Sequence, residues 1–194
     1  MPIIIPKNIE KLIAKKSPKF LRKSFEEDTR KRFERIKSEM IMEFLAHPIT
    51  KEIMAGPTSS NISNTLGGNG NLFSFIGFEK GDDPIKPILD FFQSINISFQ
   101  KPIDSGIQFS VNFPESREIF ELTPMPWAEG RSWVKGIETG ISGLGYYLFQ
   151  KNNISRSGEG MQTKTKLNKG FSFKNTSYIS ALLNKYRKQI QQLK

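Results

Sequence analysis

The chain has no cysteine and a single histidine among its 194 residues. Disulfides and thiolate metal sites are therefore excluded, and no His-paired metal site can form within one chain. Nor is there an apolar run near the ~20 residues that a membrane helix needs. The most apolar opening, "MPIIIP", is interrupted by Pro2 and Pro6 and leads to no small-residue cleavage site. A soluble product, kept in the compartment where it is made, is the expectation. Catalytic signatures are as scarce. "LGGNGNLF" has glycines but not the Lys-Ser/Thr pair with which a phosphate loop reaches phosphate and magnesium, and "GISGLG" has its glycines in the wrong order for a dinucleotide fingerprint. Both read as turns. No serine lies in G-x-S-x-G. Asp82-Asp83 lacks the spaced oxygens of a calcium loop and reads as helix capping. His47, before Pro48 at a helix end, reads as structural or exposed, and Glu115, Glu118 and Glu121 as a solvated face. A protein that is not an enzyme, with neither cofactor nor metal, is expected.

What the chain does have is charge, unevenly placed. Its net charge is +10, with 29 Lys/Arg against 19 Asp/Glu. Residues 1–51 carry 13 basic against 7 acidic groups, residues 52–150 carry 6 against 11, and residues 151–194 carry 10 against 1. Two basic ends thus flank a mildly acidic middle, which suits an acidic partner, either nucleic acid or a negatively charged protein surface.

Local patterns give an α+β plan: a largely antiparallel sheet packed with a long N-terminal helix and a C-terminal helix, joined by extended loops. A helix is expected over 17–46, with Ser17-Pro18 or Ser24-x-x-Glu27 as start signals and an apolar stripe of Phe33, Ile36, Met40 and Phe44. Glu26 with Arg30, Glu27 with Lys31 and Asp28 with Arg32 are acid-before-base pairs at i, i+4. Pro48 should end this helix. The breaker-rich stretch 55–70 reads as a loop or arm, and "NLFSFIGF" after it as a strand. "DPIKPILDFFQSI" reads as a short helix with Asp83 as its cap. "INISF" and "IQFSVNF" alternate strictly and predict an antiparallel hairpin turning in "QKPIDSG". "ESREIFEL" suits helix or strand, and "GRSWVKGIETGISGLGYYLFQ" reads as strands broken by tight turns. "TSYISALLNKYRKQIQQLK" predicts a C-terminal helix capped by Thr176 or Ser177. One domain over 1–194 is expected, with flexible arms at 55–70 and 151–170.

The strongest functional signal is the basic segment 151–174. Arg156, Lys164, Lys166, Lys169 and Lys174 surround Ser157, Gly158 and Gly160. Lys164 and Lys166 alternate with threonines, so in a strand both would leave one face. Such a face could meet a phosphate backbone without reading bases, and its binding would weaken steeply with salt. Phe171 and Phe173 suit either stacking on bases or plugging the core ahead of the last helix.

The order of segments resembles the head–tail joining proteins of tailed bacteriophages, the neck or tail-completion components. The matching features are an amphipathic N-terminal helix, "GNLFSFIGF" where that family often opens its sheet with G-x-L, and "WVKGIETGISG". The last is similar to the family's aromatic strand ending in Glu-x-Gly, with Trp133, Glu138 and Gly140 in matching positions. "FKNTSYISALLNKY" resembles its closing phenylalanine and C-terminal helix. The chain departs from the family in a longer polar arm at 55–70 and an added stretch at 114–131. The resemblance implies a structural virion protein, not an enzyme, that forms a homo-oligomeric ring. Its partners would be copies of itself, the portal-side adaptor and the tail, with non-specific contact to DNA in the lumen and none to membrane. The alternative is a sequence-nonspecific nucleic-acid-binding protein that uses residues 151–174.

Overall fold

A computed structural model describes residues 7–68, 70–103, 106–126, 128–139 and 175–193; for 7–21, 101–103, 106 and 107 it describes the backbone path alone. The architecture is α+β, with a long N-terminal helix and a C-terminal helix enclosing short helices and antiparallel strands. Helix α1 spans Lys7–Ala46, starting earlier than either expected signal and running on through Ser17-Pro18 and Ser24. It stops where Pro48 requires: His47 takes extended backbone angles (φ −62°, ψ 135°), and α2, Pro48–Met54, begins with proline in its first turn. Phe33, Ile36, Met40 and Phe44 form the buried stripe of α1, as their spacing predicts.

The charge pairing along α1 follows the expected one at Asp28 and differs from it at Glu26 and Glu27. Glu26 pairs backward with Arg22 at 2.7 Å and Glu27 with Lys23 at 3.9 Å, while Asp28 pairs forward with Arg32 at 2.8 Å. Sequence spacing alone does not choose between i−4 and i+4 partners, and each exposed pair contributes only ~0.3–0.5 kcal/mol. Arg30 instead lies 5.3 Å from the centre of the Phe99 ring, where the ring face attracts the cation.

The hairpin forms from β1, Ile97–Ile103, and β2, Gly106–Val111, with Ile97 opposite Val111 and Phe99 opposite Phe109. Between Phe99 and Pro102 the register slips by one residue, because Pro102 has no N–H to give the ladder and a bulge accommodates it. The strands run into the expected turn as far as Ile103. Asn112 closes the open end, its side-chain oxygen accepting from Asn96 N at 2.6 Å. A second ribbon pairs β3, Pro124–Met125, with β4, Ala128–Ser132. The antiparallel component is thus two separate two-stranded ribbons among the described residues.

Two segments expected as strands contain helices, although Gly130, Arg131 and Ser132 of the second belong to β4 as expected and its residues 140–150 lie outside the described residues. "NLFSFIGF" contains α3, Leu72–Ile76, bracketed by Asn71, whose side chain accepts from Ser74 N at 2.8 Å, and by Gly77 in the left-handed region at φ +94°. Leu72, Phe73, Phe75 and Ile76 are all buried, so an apolar run that a buried strand would also show is here one helical turn. In the other, Trp133–Thr139 forms α6: Ser132 Oγ accepts from Lys135 N at 3.1 Å and caps it, burying Trp133, Val134 and Ile137. "ESREIFEL" resolves as helix α5, Ser116–Glu121, with Glu118 accepting from Glu115 N at 2.7 Å. Helix α4, Lys86–Ser94, forms as expected, with Asp83 Oδ1 accepting from Lys86 N at 3.1 Å.

The polar stretch 55–70 is organised by a carboxylate. Glu52, on α2, is fully buried and accepts from Asn61 Nδ2 at 2.8 and 3.1 Å, Ser63 N at 2.8 Å and Leu72 N at 2.7 Å. Asn61 Oδ1 in turn accepts from Leu66 N at 2.9 Å and Gly68 N at 3.2 Å, and Asn71 donates to Pro57 O at 2.6 Å. Residues whose composition reads as an arm thus wrap one buried acceptor, which satisfies backbone donors that the loop's own geometry leaves unpaired.

Every partner of Glu52 is a donor, so glutamine, with one acceptor oxygen and an NH2 group facing N–H groups, is a poor replacement. Glu52→Gln should destabilise the fold by ~2 kcal/mol and Glu52→Ala by ~3–5 kcal/mol, read from denaturant unfolding. Hydrogen exchange at Ser63, Leu66 and Leu72 should accelerate in both variants well before exchange in α1.

Candidate functional site

The residues expected to meet an acidic partner, Arg156, Lys164, Lys166, Lys169 and Lys174, lie outside the described residues, as do Phe171, Phe173 and Gly140. What is described is the pair of feet between which that basic segment runs: the end of α6 and the start of the C-terminal helix α7, Ile179–Gln191.

The feet are bonded to each other. Thr176 N donates to Ile137 O at 3.2 Å. Glu138 accepts from Tyr178 N at 3.3 Å, from Ser180 N at 2.7 Å and from Ser180 Oγ at 2.6 Å. The expected cap, Thr176 or Ser177, is therefore replaced by a carboxylate from another helix, which meets the free N–H groups and positive dipole end of α7. Ile137 and Glu138, before the basic segment, and Thr176 to Ser180, after it, therefore meet at one place.

Tyr178 fixes that place in the core. It is fully buried, its hydroxyl lies 2.7 Å from Thr50 Oγ1, and its ring stacks on Phe44 at 6.1 Å while meeting His47 at 4.8 Å and Trp133 at 6.4 Å. Burial pushes its phenol well above the usual tyrosine range. Helix α7 then lies along α1 with Ile179, Leu183 and Tyr186 buried. Glu43 accepts from Lys185 Nζ and from Tyr186 OH at 2.7 Å, and the Lys185 hydrogen bond, followed by that from Tyr186, holds its carboxyl below the ordinary range. Arg187 donates to Pro114 O at 2.8 Å and lies 5.7 Å from the centre of the Phe113 ring, tying α7 to the segment after β2. The first and last helices of the chain, α1 and α7, are thereby neighbours in space.

His47 has a structural place here. Its Nδ1 accepts from Ile49 N at 3.3 Å, capping α2, so the ring must be neutral at that nitrogen. None of the anchors, Glu138, Tyr178 and Glu43, was legible as such. Each meets partners from ~40 to ~140 residues away in sequence, a separation at which no spacing rule applies. Trp133 and Glu138, matched to a strand in the family resemblance, both stand on helix α6.

Truncating Glu138 to alanine should expose the α7 terminus and lower stability by ~2 kcal/mol, with exchange at Ser180 rising most. A second expectation concerns pH. Burial lowers the His47 pKa below 6.5, opposed only in part by Glu43. The folded state therefore binds fewer protons than the unfolded one below that pH. The associated stability is complete above pH 6.5 and declines as pH falls through the lowered value. His47→Asn keeps a capping acceptor but cannot titrate, so melting curves of this variant should be flat between about pH 7 and 5 where the parent declines. The Glu43 contribution should fade only below pH 4.5 in both proteins.

Compared with known proteins, the chain matches no family model, no curated protein and no solved structure.

Proposed function

We propose that this chain is a structural assembly protein, a head–tail connector component of a tailed-phage virion that acts as a ring of identical copies and not as an enzyme. The observation that carries this reading is the pattern of charge along α1. The helix is 40 residues long, some 60 Å at 1.5 Å per residue, and among its described side chains those of 22–28 are exposed or half-buried, whereas Thr29, Phe33, Ile36, Met40 and Phe44 are buried. Lysines recur at 7, 11, 15, 19 and 23, four apart, in the half before Thr29. Positions four apart share a helix face, where like charges disfavour the helix by ~0.2–0.5 kcal/mol per pair unless a negative partner offsets them. A ring supplies such a partner, since head-to-tail contact sets one patch of a copy against a different patch of the next, here basic ends against an acidic middle. Residues 151–174, with six basic groups against one acidic, would add contacts to neighbours or to DNA in the lumen.

The nucleic-acid reading draws on that same segment, in which Arg156, Lys164, Lys166, Lys169 and Lys174 form a cationic run of the sequence. Light scattering with and without DNA, joined to electron micrographs of the purified protein, separates the two. Rings or strong self-association without DNA are expected. A monomer that binds duplex with a steep salt slope, lost when Lys164, Lys166 and Lys169 become glutamine, would overturn the connector assignment.

A further inference from the structure

Among the described residues, the acidic middle of the chain contains a cleft of the opposite sign. It has a volume of about 490 Å³ and lies between α5, the β3–β4 ribbon and α6. Arg117 of α5, Arg131 of β4 and Lys135 of α6 line it, with Glu121 as the one acidic lining residue. Glu121 takes the Nε of Arg117 at 3.0 Å. Arg131 and Lys135 have no side-chain partner among the described residues, and both are exposed. The cleft therefore carries a surplus of two positive charges. Phe120, half-buried, and Pro124 give it an apolar wall.

Local structure brings these groups together. Strand β4 ends at Ser132, and α6 starts at the next residue because Ser132 Oγ, which lies 2.8 Å from Thr123 Oγ1, caps it. Arg131 and Lys135, four apart across a strand–helix junction, therefore reach the same mouth. Gly130, at φ +70°, allows the bend just before it, a conformation that side chains rarely adopt. Arg117 faces them from the neighbouring helix. Thr123 O accepts from Trp133 N at 2.9 Å and pins the floor to the core.

We propose that this cleft binds the phosphate of a nucleotide, free or at the end of a strand, with Arg131 and Lys135 on the phosphate and Phe120 against the base. The guanidinium of Arg131 and the ammonium of Lys135 suit a tetrahedral oxyanion, and the planar fork of arginine matches a pair of its oxygens. The volume lies in the range of small-molecule sites, larger than a bare phosphate requires. An apolar wall beside the cations is what a base, and not inorganic phosphate, would use. This site is independent of residues 151–174 and of ring assembly.

The test is isothermal titration of the full chain with adenosine monophosphate, with a terminally phosphorylated oligothymidylate, with the same oligothymidylate lacking that phosphate, and with inorganic phosphate. Each titration is repeated on Arg131→Gln/Lys135→Gln, on Phe120→Leu, and on a variant with Lys164, Lys166 and Lys169 changed to glutamine. The first two nucleotide probes should bind more tightly than the unphosphorylated strand or inorganic phosphate, and more weakly as salt rises. The double variant should lose about tenfold or more in affinity, and Phe120→Leu should weaken the nucleotide but not inorganic phosphate. The segment variant should bind the mononucleotide like the parent. Arg131 and Lys135 are exposed, so an unchanged melting temperature in the double variant will show that it folds. Absent binding at millimolar nucleotide, binding indifferent to the double substitution, or binding lost only in the segment variant would each overturn the site. Equal affinity for phosphate and nucleotide would overturn the base contact and with it the ligand class.

Discussion

Tyr178 is the point on which the rest of the structure closes. Its ring is shared among Phe44 of α1, His47 at the α1–α2 junction and Trp133 of α6, its hydroxyl meets Thr50 of α2, and its N–H meets Glu138. One residue thus couples the first helix, the last helix and the helix before the basic excursion. Buried aromatic contacts of this kind contribute ~0.5–1.5 kcal/mol each beyond the area they remove from water. The larger effect is geometric, because a phenol buried with one satisfied hydroxyl permits few alternative positions. Where Tyr178 sits, α7 must begin.

Carboxylates do the corresponding work for the backbone. Glu52, Glu138 and Glu43 each collect two or more donors, and two of them do so without a cationic partner. A carboxylate offers about four acceptor sites, so it can satisfy several donors at a junction where no regular ladder reaches. This explains how a chain with 15 glycines and long irregular connections keeps its buried side-chain polar atoms bonded among the described residues. It also means that irregular composition is no guide to looseness here: the loop after α2 is as densely bonded as a helix turn.

How much was legible follows the range of the forces involved. The α1 stripe, its end at Pro48, the β1–β2 hairpin and the existence of α7 all follow from contacts within a few turns or across one hairpin, and sequence periodicity reports those directly. Helices α3 and α6 were obscured because five and seven residues give too little period to separate helix from strand, and because their aromatic and β-branched content favours strands. The capping side chains Asn71 and Ser132 were the available signals for both. Pairing of Glu26 and Glu27 with earlier, not later, cations could not be read, since both choices satisfy the same spacing rule. The candidate basic residues were legible as charge, but their anchor was not: Glu138 meets Ser180 across 42 positions.

Charge and fold join at that anchor. Bringing α7 onto α1 adds the cation Lys185 to a helix that already carries Arg35 and Lys37, an addition that like-charge repulsion opposes and that solvent screens within about 8–10 Å at ordinary ionic strength. The interface tolerates it because Glu43 meets Lys185 on the seam, and Glu34 and Glu39 hold Lys37 and Arg35 on α1 itself. Local neutralisation there is spent on cations beside the core, while the lysines before Thr29 have only Glu10, Glu26, Glu27 and Asp28 as acidic company in their half of the helix. In the sequence, the basic excess therefore falls in the part of α1 before Thr29 and in residues 151–174.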